Sequence, residues 1–277
     1  MLRALYSFIA NIGTLLKQPY SRKQKVSVLL TFCKLQLKQL FSFGNSKNVT
    51  EHICGFIVHA FDRRTLTFLF QEIFVHGEYF FKTTTNTPTI YDCGSNIGIA
   101  ILFFKWLYPE SVIHAFEPDP DTFALLQKNI AVNKLSSVTL HQTALGKSTG
   151  TISFYRNAHQ GSLKASVLKE RGGENTLEVS LSPLSSYVHE SVDFLKIDTE
   201  GAEGSMVQDL VTSNTLHQIR EMVIEYHHNT GGENLSLSEI LSHIEKSGFK
   251  YQIHSPFLPL ARKNRFQDVM LYCYRNN

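Results

Sequence analysis

Carboxylates recur at the ends of short apolar runs in this chain. Asp92 closes the run from Thr89, Glu117 follows Val112 to Phe116, Asp198 follows Asp193 to Ile197, and Glu225 stands two residues ahead of His227. A carboxylate at a strand end can take a proton, hold a cation or accept hydroxyl hydrogen bonds. Around the first of them the order is Asp92-Cys93-Gly94-Ser95-Asn96-Ile97-Gly98. Gly94 permits a tight turn and Gly98 a closely packed helix, so the stretch reads as strand, glycine turn, helix. Such turns commonly receive nucleotide phosphates. Here Asn96 stands where a glycine would let backbone approach pyrophosphate, and Asp92 would repel a diphosphate. The expected ligand is cationic at that point.

Glu117 lies 23 residues beyond Gly94, placed to accept two ribose hydroxyls at once. Pro118 follows it, and after a third run Thr143-Ala144 can line an adenine slot. S-adenosylmethionine, with an ammonium, a sulfonium and no phosphate, meets these conditions. Asp92, Gly94, Ser95, Asn96, Gly98, Glu117, Pro118, Thr143 and Ala144 are its expected contacts. At the reacting end, Asp198 faces the methyl group and the acceptor. Glu225 and His227 point the same way from an extended backbone. His227, with a pKa near neutrality, is the expected general base, oriented by Glu225 or Glu200. Glu200 and Glu203 share a face if helical, although Glu203 equally suits the acid-rich first turn of a helix. The spacing does not call for a metal, but Asp198, Glu200 and Glu225 or His227 could hold Mg²⁺. A nicotinamide-dependent dehydrogenase and a non-catalytic scaffold are the alternative readings.

The elements that must position these residues alternate strand and helix from Thr89 onward, which implies a parallel sheet with helices on both faces. Phe249–His254 and Val269–Tyr274 lack a crossover helix, which implies one antiparallel strand. Thr151–Tyr155 and Leu177–Leu181 read as edge strands, and 66–81 as helix then loop. The helix Ile97–Tyr108, apolar nearly all round, needs cover on both faces. The first 50 residues carry eight basic and no acidic residues, leaving 19 basic and 24 acidic in the rest. They read as a basic amphipathic helical extension (1–50) ahead of one domain (51–277). Its stripe Val26, Leu29, Leu30, Cys33, Leu37 and Leu40 is expected to cover that helix, with peripheral membrane contact as the second use of the segment. The four cysteines form no metal-like spacing and read as free thiols, which suggests the cytosol. No apolar run is long enough to span a bilayer. No nucleic-acid partner is expected.

"YDCGSNIG", "HAFEPDP", "TALG" and above all "VDFLKIDTEGAE" closely resemble the FkbM-type S-adenosylmethionine-dependent methyltransferases. The resemblance covers roughly residues 70 to 227. It implies a class I (Rossmann-like) α/β fold, a mostly parallel seven-stranded sheet with one antiparallel strand. It implies O-methylation of a sugar, glycan or secondary metabolite. Asp92, Gly94, Asn96, Gly98 and Glu117 become cofactor contacts, and Asp198, Glu200 and Glu203 an acidic block at the active site. One departure is Leu184-Ser185, where many members carry Leu-Asp.

Overall fold

The computed structural model describes residues 2–41, 47–156, 165–228, 235–255 and 267–275. Two helices, α1 (Leu2–Lys17) and α2 (Arg22–Phe41), precede a hairpin of β1 (Lys47–Ile53) and β2 (Phe56–Asp62). The hairpin turn is Cys54-Gly55, with φ of 48° and 96°, the left-handed geometry a two-residue turn needs. Asp62 then caps α3 (Arg63–Phe70) by accepting the Thr65 N–H at 2.9 Å. A π-helix, Gln71–His76, continues α3 and ends at Gly77, φ 69°. The expected order of helix then loop holds, with the helix ending as a π-helix and the loop from Gly77 carrying Glu78 and Tyr79.

The central sheet uses β3 (Thr89–Cys93), β4 (Val112–Phe116), β5 (Val138–His141), β9 (Val192–Ile197), β10 (Ile219–His228), β11 (Lys250–His254) and β12 (Gln267–Tyr274). Their order is β11-β12-β10-β9-β3-β4-β5. Only β12 runs antiparallel to its neighbours. Because strand side chains alternate, Ile90, Phe194 and Val223 enter one apolar cluster and Tyr91, Leu195 and Ile224 the other. The first cluster holds α4 (Ile99–Leu107), α5 (Pro120–Val132) and the N-terminal helices. The second holds α7 (Glu203–Thr212) and α8 (Leu237–Lys246). The helices thus lie on both faces, as the alternation implied.

Three strands depart from that plan. β6 (Ala144–Gly146), β7 (Gly150–Arg156) and β8 (Asn175–Pro183) form a separate sheet ordered β6-β8-β7, with the short α6 (Lys169–Gly172) between β7 and β8. The expected edge strands therefore pair with each other and with β6 rather than with the main sheet.

The N-terminal segment covers the core mainly with a different face from the one expected, although Leu29 of the expected stripe packs partly against the core and Cys33 is half-buried. α2 buries Val28, Thr31, Phe32 and Leu35, whereas Val26, Leu30, Leu37 and Leu40 are more than half exposed. The two sets lie about half a helical turn apart, and both are apolar, so periodicity alone could not choose between them. α4 is covered instead by Phe74 of the π-helix and by Tyr20. Phe74 meets Phe103 edge-on at 5.1 Å between ring centroids, and Tyr20 meets Trp106 at 5.2 Å.

Candidate active site

A cavity of about 910 Å³ opens at the carboxyl ends of β3, β4, β9 and β10, walled on the far side by the π-helix and by Thr14 of α1. This is where ligands sit in open α/β sheets. Gly94, Ser95, Asn96, Glu117, Pro118, Thr143 and Ala144 line one end, and Asp198, Glu200 and Glu225 the other. The structure therefore gathers most of the residues singled out from sequence. Asp92 and Gly98 are exceptions. Asp92 is fully buried beneath the turn, with Oδ1 3.1 Å from Nζ of Lys196. Gly98 caps α4 at φ 90°, where an added Cβ would press on Leu126 of α5. Neither lines the cavity.

The glycine turn is closed on itself. The N–H groups of Gly94 and Ser95 donate to the Phe116 carbonyl, Asn96 N–H to Glu117 Oε2 at 3.0 Å, Ile97 N–H to Asn96 Oδ1, and Gly98 N–H to Ser95 O. Gly94 is required, because a Cβ there would collide with the Asp198 carbonyl. Glu117 also accepts the Asp119 N–H at 2.9 Å. Burial pushes its carboxyl up to about 8, against the pull of those backbone donors.

At the other end, Lys196 projects from β9 between Asp92 and Asp198 (3.4 Å), donates to the Gly94 carbonyl at 2.8 Å, and lies beneath the Tyr79 ring. Burial opposes its charge, but the two aspartates hold its pKa above the ordinary lysine value. Tyr79 donates its hydroxyl to Asp198 Oδ2 at 3.3 Å. Sequence reading gave no role to Lys196 or Tyr79; the signal was a lone lysine inside the apolar run "VDFLKI".

His227 differs from expectation. It is 2% exposed and sits behind Glu225 rather than on the cavity wall. Its Nδ1 is 3.0 Å from Glu203, while Nε2 faces Glu200 at 3.3 Å, Asp268 at 3.8 Å and Glu225 at 3.9 Å. Burial alone would lower its pKa, but the Glu203 charge and hydrogen bond, with Glu200 and Asp198 behind, raise it to about 10. At neutral pH His227 is an imidazolium, not the near-neutral base anticipated. Its orienting partner is Glu203, which also accepts the N–H groups of Thr199 and Gly201 and so organises the turn after β9. Glu200 and Glu203 do not share a helix face, since Glu200 precedes α7 at φ 56°. They meet instead on opposite nitrogens of His227. Glu225 is pushed up to about 8 by burial and by Asp198, against the counteracting charge of His227. Ser185, at the departure noted above, donates to Asp209 of α7 through both N–H and hydroxyl. It does not line the cavity.

The sequence model of the methyltransferase FkbM domain matches residues 92–251, more than half of the chain. The chain belongs to the FkbM methyltransferase family. Methyltransferase sdnD of Sordaria araneosa is 28% identical to this methyltransferase over 200 residues, 60% of this chain and 77% of its own. The 31-O-demethyl-FK506 methyltransferase FkbM of Streptomyces tacrolimicus is 26% identical over 217 residues, 66% of this chain and 81% of its own. Hexuronic acid methyltransferase AglP of Haloferax volcanii is 27% identical over 165 residues, 57% of this chain and 63% of its own.

Proposed function

We propose that this methyltransferase uses S-adenosylmethionine to methylate a hydroxyl oxygen of a sugar, glycan or secondary metabolite. The observation that carries the cofactor reading is the closed glycine turn. The N–H groups of residues 94–98 are all spent inside the protein, so that turn presents none of the donors that cradle a dinucleotide phosphate. Glu117, buried at the cavity wall with one backbone N–H on each oxygen, suits a pair of ribose hydroxyls once it is ionised. The names of the relatives acting on 31-O-demethyl-FK506 and on hexuronic acid support an oxygen acceptor. Calorimetry tests the reading: S-adenosylhomocysteine should bind and NADH should not, and the reverse result would move the chain to the dehydrogenases.

When bound, S-adenosylmethionine supplies an electrophilic methyl group on sulfonium sulfur. The protein's part is to align an acceptor hydroxyl with that methyl and to remove its proton. Asp198, fixed by Tyr79 and Lys196, orients the hydroxyl. Glu225, which titrates at about 8 and faces the cavity, takes the proton when ionised. His227 stays protonated behind them and holds Glu200, Glu203 and Glu225 in place. A second reading rests on one observation: ligand atoms of Asp198, Glu225 and His227 lie within 4.8 Å of one another, so these residues could hold Mg²⁺, which would acidify the acceptor hydroxyl. Full activity in EDTA would exclude it.

A further inference from the structure

We propose that the outer face of α1 and α2 docks on an anionic lipid bilayer. α2 is apolar on two opposite sides. Val28, Phe32 and Leu35 are buried against the body, while Val26, Leu30, Leu37 and Phe41, at spacings of four, seven and four, share one helix face and are 54–80% exposed. α1 repeats the arrangement, with Leu15 buried and Tyr6, Ile9 and Leu16 exposed. The two helices are held together by stacked Phe8 and Phe32. The charge selects the partner. Residues 1–50 carry eight basic and no acidic side chains. Lys34 and Lys38 reach back to Glu51 of β1, and Lys17, Arg22 and Lys23 stand exposed at the turn between the helices. A second copy of so uniformly basic a surface would be repelled; an anionic bilayer takes apolar side chains and lysines together. α1 links this face to the site, since Asn11 bonds His76 of the π-helix at 2.7 Å and Thr14 lines the cavity.

Co-sedimentation of the full chain with vesicles tests the proposal. Vesicles of phosphatidylcholine with phosphatidylglycerol should bind it, weakly at high salt, and vesicles of phosphatidylcholine alone much less. Leu30→Glu with Leu37→Glu should lower partitioning about tenfold or more, since two exposed leucines lose their insertion. Both positions are exposed, so thermal midpoint and S-adenosylhomocysteine affinity should match the wild type. Lys17→Glu with Lys23→Glu should remove much of the salt-sensitive part. Absence of wild-type binding to the anionic vesicles, or wild-type binding by the leucine variant, overturns the proposal. So does a dimer in sedimentation velocity that the leucine variant dissociates, which would make the face an interface between copies.

Discussion

Glu117, buried, and Glu225, partly buried on the cavity wall, both titrate near 8, and their positions in the cavity assign them different experiments. Glu117→Gln should weaken S-adenosylhomocysteine binding about ten- to a hundredfold, since a hydrogen bond to a charged group is worth ~1.5–3 kcal/mol. Folding should not suffer, because burial disfavours the charge that the substitution removes. Unchanged affinity in calorimetry would take Glu117 out of the cofactor pocket. For Glu225, kcat should rise with pH to a plateau above about 8, and Glu225→Gln should lose that limb together with ~10²-fold or more in kcat. An inflection nearer 10 in the wild type would return the proton to His227.

At the scale of elements, two substitutions on one helix separate its faces. Phe32→Ala should cost ~3–5 kcal/mol, because the ring is fully buried. Leu37→Ala, on the exposed side, should stay within ~0.5 kcal/mol of wild type. Equal losses in thermal denaturation would mean that the outer stripe is covered in solution. Gly94→Ala should destabilise the fold and abolish cofactor binding together, since its Cβ would meet the Asp198 carbonyl where β3 and β9 lie side by side. Legibility followed the same division. The strand Val112–Phe116 was readable to the residue because a continuous apolar run between turn signals allows little else. The β1–β2 hairpin was not, because its turn uses Cys54 where asparagine or aspartate normally announces the left-handed geometry. The carboxylates at strand ends were legible from topology alone. What each does depended on contacts across the fold: Lys196 reaching from β9 to Asp92 of β3, and Glu203 reaching from α7 to His227 of β10. Sequence spacing does not encode those distances.

Across the molecule, the buried titratable groups bias stability toward low pH. Glu117, Glu225 and His227 all have pKa values raised by folding, to about 8, 8 and 10. Each protonated form is favoured in the native state, so its contribution is complete below the ordinary value, near 4.5 for the carboxyls and 6.5 for the histidine, and is lost as pH rises through the raised one. Glu203, held low by His227 despite its burial, runs the other way and loses its contribution in acid. The thermal midpoint should therefore be highest in mildly acidic buffer and fall between about pH 5 and 10, the carboxyls acting up to about 8 and His227 up to about 10, by ~2–4 °C for each kcal/mol lost. Glu117→Gln and Glu225→Gln should flatten that fall, and a midpoint constant to pH 10 would contradict the assignment. The closed turn beneath Glu117 has a thermochemical consequence. With the Asn96 and Asp119 N–H groups already on its two oxygens, a ligand that donates two hydroxyls finds its full complement of acceptors only on the ionised carboxylate. Binding near neutrality should then expel a proton, and the heat measured should change with the ionisation enthalpy of the buffer, phosphate against Tris, in proportion to the fraction of Glu117 that was protonated.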